Sequence, residues 1–172
     1  MGNTIFRNIW NFVFLMSLQL LILSRIELHQ LFTPVIYPLI IMLLPFEALS
    51  WVLMLTAFVA GIMVDLYANT LGMHSAATVF MAFIRPYVVR YIEPRLGYDA
   101  TDRPTLGNMG FMWYLKYTSI LILFQQTAFY LLESFRFNLL FNSLLKIVLS
   151  SIIFVLLALA YGYLLYDRKN SL

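Results

Sequence analysis

A chain of 172 residues that is 62% apolar and only 11% charged is not a soluble domain, which would carry roughly a quarter charged residues. The net charge of +3 comes from basic residues scattered at the ends of apolar blocks, so it is an orientation signal and no nucleic-acid footprint. There is no cysteine, which excludes thiol catalysis, disulfides and thiolate metal sites, and His29 and His74 are too few for a His-rich metal centre. The apolar blocks are long enough for a bilayer core of about 30 Å, which takes roughly 20 helical residues. The reading is therefore a single all-α integral membrane domain over residues 1–172, with about six transmembrane helices and no expected cofactor or metal.

The first block runs from about Ile5 to Ser24, with Trp10 as an interfacial anchor and Gln19 inside. No small-residue cleavage site follows it, so it is expected to be retained as a helix rather than removed as a signal peptide. A polar connection, Arg25 to Thr33, carries Glu27 and His29. Pro34 opens the second block, which Pro38 interrupts and Pro45 closes near Phe46; it is short for a span and should be kinked or thin. Glu47 marks a turn, and Trp51 anchors a third helix from Ala48 to about Leu66. The fourth helix is expected from near His74 to about Ile92, with Arg85-Pro86 inside it and Arg90 near its end.

Residues Glu93 to Met109 are rich in Pro, Gly and charge and form the main loop. Trp113, Tyr114 and Lys116 introduce a fifth helix to about Leu132, and Glu133 to Asn142 reads as a partly apolar connection. The sixth helix spans about Ser143 to Tyr166, leaving DRKNSL as a tail. No internal repeat is visible. With the N-terminus inside, Arg7, Arg90, Arg95, Arg103, Lys116, Arg168 and Lys169 fall on the inner side, against Arg25, Arg136 and Lys146 outside. Both termini are then cytoplasmic, Asp65 and His74 lie at the outer end of their helices, and Arg85 lies in the inner half.

Asp65 is the only acidic residue in the otherwise uncharged run from Ala48 to Met73. Such a carboxylate is a candidate proton relay, substrate counter-charge or protease group, although no second carboxylate in an apolar helix interior supports a protease. The commoner use is structural: it accepts backbone N–H groups where the next helix begins. Gly72 can adopt φ > 0 to close the turn before His74, itself more often a cap or interface residue than a ligand. Ala57 and Gly61 make a small-xxx-small face, continued by Ser75, Ala76 and Ala77, and Ala158 with Gly162 makes a second. Glu47 is a candidate ion-pair partner for Arg85 or Arg90. Gln125 and Gln126 suit interhelical hydrogen bonds or a polar cavity. The basic loop from Arg90 to Arg103 suits anionic lipid, a cytoplasmic partner or a topological signal. Zinc-protease, nucleophile-elbow and phosphate-loop motifs are missing, so nothing argues for an enzyme.

The stretch Gly61-Ile-Met-Val-Asp65, then Asn69-Thr-Leu-Gly72-Met-His74 and an Ala-bearing helix, resembles the signature of the MreD family of rod shape-determining membrane proteins. Length, helix count, Pro34 and Leu44-Pro-Phe-Glu47 extend the likeness over the chain and are similar to members from Bacteroides-like bacteria. The resemblance implies a non-enzymatic inner-membrane scaffold of the cell-elongation complex, which helps control cell shape and peptidoglycan synthesis. It binds MreC and acts beside MreB, RodA and the partner transpeptidase of RodA. It also implies a fold similar to the substrate-binding S subunit of energy-coupling-factor transporters. A small-molecule-binding S-type subunit is accordingly the alternative. Against it, the first helix lacks any Ala, where those subunits carry an Ala pair for their transport partner.

Overall fold

Five long helices carry the architecture of the computed structural model, which describes residues 2–25, 34–95, 97–98, 102–133 and 140–170. They are α1 (Gly2–Leu21), α3 (Ser50–Ala68), α4 (Met73–Tyr91), α6 (Phe111–Glu133) and α7 (Leu140–Asn170). Two single-turn α-helices, α2 (Leu39–Met42) and α5 (Leu106–Met109), and a 3-10 turn at Leu23–Arg25 accompany them. No strand occurs among the described residues. Two segments, Ser50–Ala68 and Leu144–Leu165, are long and apolar enough to cross a membrane.

The core is apolar, but polar side chains are buried with it and many large apolar ones lie outside. Asn11, Gln19, Asp65, Arg85, Gln125 and Gln126 are buried, whereas Trp51, Leu55, Phe58, Phe83, Tyr87 and Leu156 are exposed. In water so many exposed large apolar side chains would favour association, and charged groups are seldom buried. The interior is built by α3 packing along α4, α4 on α6 and α6 on α7. Small residues set the close approaches: Ala57, Ala60 and Gly61 on α3, and Ala77 and Ala82 on α4, are all buried. A hydrogen bond from Tyr161 Oη to Asn11 Oδ1 (3.1 Å) joins α7 to α1.

The second apolar block differs from expectation. Only residues 39–42 are helical, and 34–43 are buried throughout. The prolines explain the break: Pro34, Pro38 and Pro45 remove N–H donors, and each disfavours helix in the residue before it. Residues 34–45 nevertheless cross the depth of the helix group. Pro34 lies beside Gln19, Tyr37 beside His74 and Thr78, and Leu44 and Pro45 beside Arg85. That path follows α4 for about three helical turns.

Irregular backbone at such depth needs side-chain partners. Gln19 Oε1 accepts from Ile36 N (2.7 Å) and Tyr37 N (3.4 Å), and Gln19 Nε2 donates to Pro34 O (3.3 Å). Replacing Gln19 by Leu keeps the volume and orphans these groups. The expected loss is about 1–3 kcal/mol in detergent unfolding measurements, the penalty of leaving buried backbone polar groups unmade.

Several boundaries also shift. α7 starts at Leu140 and runs through Asn170, so Arg168 and Lys169 continue the helix rather than forming a tail. The polar turn can remain helical because nothing in Asp-Arg-Lys-Asn breaks an α-helix once it leaves the apolar layer. The loop after α4 contains α5. The expectations for Glu27, His29 and Arg136 fall outside the described residues.

Candidate functional site

Helix α3 ends because Asn69 turns left-handed (φ 55°), and Gly72 repeats the reversal (φ 80°) one residue before α4. A glycine accepts that φ without cost, and asparagine is among the few other residues that do so readily. The turn brings the start of α4 over the end of α3, where Asp65 waits. One carboxylate oxygen accepts from Thr70 Oγ1 (2.6 Å) and His74 N (3.0 Å). The other accepts from Ser75 N (2.9 Å) and from the Ser75 hydroxyl. Asp65 is buried, and its negative charge faces the N-terminal end of α4, which carries partial positive charge. With four donors converging, the carboxylate has little capacity left for a ligand.

Gly61 allows this contact. It lies one turn before Asp65 and faces the backbone of His74 and Ser75 directly. A Cβ there would stand 2.7 Å from Ser75 N and 3.0 Å from the His74 carbonyl carbon.

Behind the turn lies a polar hub. Tyr37 Oη meets His74 Nδ1 (3.2 Å), Thr78 Oγ1 (2.9 Å) and Gln125 Nε2 (3.2 Å). Thr78 Oγ1 donates to His74 O (2.6 Å), so it accepts from Tyr37. Tyr37 has then used its single proton, and His74 Nδ1 must donate to it, an assignment made from the network. The His74 ring also stacks on Phe129 at 4.3 Å between centroids. Among the described residues, the buried atoms Gln125 Oε1, Gln126 Nε2 and Ser151 Oγ lack a protein partner.

At the other end of α4, Arg85 is 1% exposed. Nε donates to Tyr117 Oη (2.7 Å), and Nη2 donates to Leu44 O and, more weakly, to Pro45 O (3.4 Å). Tyr117 in turn donates to Met42 O (2.9 Å). The expected pairing of Arg85 with Glu47 is not formed, because the broken second segment offers carbonyls closer than any carboxylate. Glu47 itself is exposed. Nearby, Phe46, Tyr98 and Trp113 pack together, and Trp113 Nε1 donates to Ile92 O (3.2 Å). Burial raises the Tyr98 pKa above the ordinary phenol value, with the Trp113 hydrogen bond partly opposing it.

The small-residue faces resolve into internal contacts. Gly61 is buried between α3 and α4, Ala57 and Ala77 are buried within the helix group, and Ala76 faces outward. Ala158 is buried with its carbonyl accepting from Tyr114 Oη (3.2 Å), and Gly162 lies against Leu106 and Tyr114. These positions are therefore unavailable to an entering partner helix, Ala76 excepted. An open groove of about 530 Å³ beside Ala76 is walled by Phe58, Ile62 and Val79.

Sequence reasoning missed Tyr37, Thr78 and Tyr117 as organisers, because single tyrosines carry no signal in a chain that is 17% aromatic. Gln19 was visible as a polar residue in an apolar block, without its role. No group of three or more His, Asp or Glu suited to a metal ion occurs among the described residues. Compared with known proteins, the chain matches no family model, no curated protein and no solved structure.

Proposed function

We propose that the protein is a non-enzymatic, multi-pass scaffold of the bacterial inner membrane, serving the cell-elongation complex in the manner of the MreD family. The carrying observation is the Asp65 turn. The residues that bear the family resemblance, Gly61, Asp65, Gly72 and His74, form one closed architectural joint whose hydrogen bonds are used internally. A joint of this kind holds helices in register and leaves no activated group for chemistry. The apolar exterior and buried polar residues favour lipid on all sides, and the broken segment 34–46 supplies the second of six crossings. In this reading both termini are cytoplasmic, and MreC binds directly, with MreB, RodA and its transpeptidase in the same assembly. Because most small-residue positions are consumed internally, MreC would meet larger apolar side chains such as Phe58 and Ile62 beside Ala76.

A second reading, the small-molecule-binding S-type subunit, draws support from the unpartnered Gln125 Oε1, Gln126 Nε2 and Ser151 Oγ. Affinity capture of the tagged full chain from its native membrane separates the two. Recovery of a one-span protein with a periplasmic β-domain supports the scaffold. Recovery of a transporter ATPase supports the binder and overturns the scaffold, and capture of neither overturns the scaffold alone.

A further inference from the structure

A guanidinium removed from water ordinarily requires a counter-ion, since an unpaired buried charge is costly. Arg85 has neutral partners only. Its Nε and Nη2 hydrogens go to a phenol and two carbonyls, and no ion pair joins it to a carboxylate among the described residues. The two N–H groups on Nη1 take part in none of these bonds.

Arg85 also lines a groove of about 300 Å³, which runs between the start of α3 and the end of α4. Arg90 lines the same groove, from the last turn of α4, and is exposed. Glu47 shares the wall without an ion pair to either arginine, so the groove carries one net positive charge. Its remaining walls include the apolar Phe46, Leu49, Leu53 and Val89. Trp51, Tyr87 and Tyr91 stand exposed at this same end of the two helices. Exposed Trp and Tyr on an apolar exterior mark headgroup level. The groove therefore opens where phosphates lie, with apolar walls leading toward acyl-chain depth.

We propose that this groove binds the headgroup of an anionic phospholipid, with the phosphate facing Arg85 Nη1 and Arg90 and the first part of an acyl chain along Leu49 and Leu53. The charge that the fold leaves unneutralised is then supplied by the bilayer. Arginine suits the task because its planar fork matches phosphate oxygens. The proposal rests on the membrane-embedded part of the functional reading and is independent of any protein partner.

The test uses the purified full chain in detergent, titrated with phosphatidylglycerol, phosphatidylcholine or inorganic phosphate while thermal unfolding is followed. Phosphatidylglycerol is expected to raise the midpoint saturably, and phosphatidylcholine and inorganic phosphate are not. Arg90→Gln, an exposed change that leaves the fold intact, should weaken the phosphatidylglycerol response about fivefold, the factor expected for one basic side chain near an anionic surface. Glu47→Gln should strengthen it. Arg85→Lys keeps the charge and loses the fork, and should weaken it if the variant folds. An equal response to phosphatidylcholine, or an unchanged response in Arg90→Gln, overturns the site. An equal response to inorganic phosphate overturns the lipid as occupant. None of these outcomes bears on partner capture, so the two ideas fail separately.

Discussion

Gly61→Ala is expected to destabilise the protein by about 1–3 kcal/mol, and Gly61→Leu to prevent folding, because the added carbon meets backbone. The nearest atoms to a Cβ at this position belong to Ser75 and His74 main chain, which cannot rotate away as a side chain would. Relief requires α3 and α4 to separate, and separation pulls Ser75 N away from Asp65. The effect is thus cooperative with the joint itself. Gly72→Ala offers a useful contrast, since a Cβ there finds open space but φ is +80°. Its cost should be about 1–2 kcal/mol, from backbone conformation alone. Denaturant unfolding of the purified variants, followed by Trp51 and Trp113 fluorescence, measures both. A Gly61→Ala protein as stable as the parent would show that the α3–α4 contact is looser than described.

Asp65→Ala should be the most damaging polar substitution. The Thr70 and Ser75 hydroxyls can swing to other acceptors, but the His74 and Ser75 N–H groups point where the backbone aims them. Two buried N–H groups left unmade, at about 1–3 kcal/mol each, predict a loss of about 2–6 kcal/mol. Asp65→Asn retains one acceptor oxygen and sets an NH2 group against the other donors, so an intermediate loss is expected, with one backbone bond broken and the charge assistance gone. The ordering parent, Asn, Ala in unfolding midpoint is the checkable result. An Asn variant within about 0.5 kcal/mol of the parent, the range of ordinary surface changes, would instead point to a carboxylate kept for a ligand or partner.

Much of the helix layout was legible because apolar block length is a direct signal. The expected third, fourth and fifth helices differ from α3, α4 and α6 only at their ends. The turn was legible at Gly72, the residue expected to take positive φ, whereas the left-handed Asn69 that ends α3 was not foreseen. What could not be read was partner choice. Arg85 and Glu47 share a depth in the sequence pattern, and charge complementarity suggested a pair. The outcome turned on carbonyls of residues 44 and 45, which become available only because three prolines break the second block. Similarly, Gly/Ala faces announce close approach without saying to what. Gly162 meets Leu106 in a single-turn helix that the Gly-rich loop gave no reason to expect.

The path of residues 34–45 has a consequence for biosynthesis. Its carbonyls and amides are held by Gln19 from α1, by Arg85 from α4 and by Tyr117 from α6. A ribosome completes this segment well before it makes residues 85 and 117. Until then the backbone of this segment has only Gln19 as a side-chain partner, so its carbonyls at residues 42, 44 and 45 stay unsatisfied. Insertion in strict chain order is therefore not expected. In the six-span reading proposed above, residues 34–45 should settle only when Tyr117 arrives, and a nascent chain halted before α6 should leave them accessible to soluble reagents.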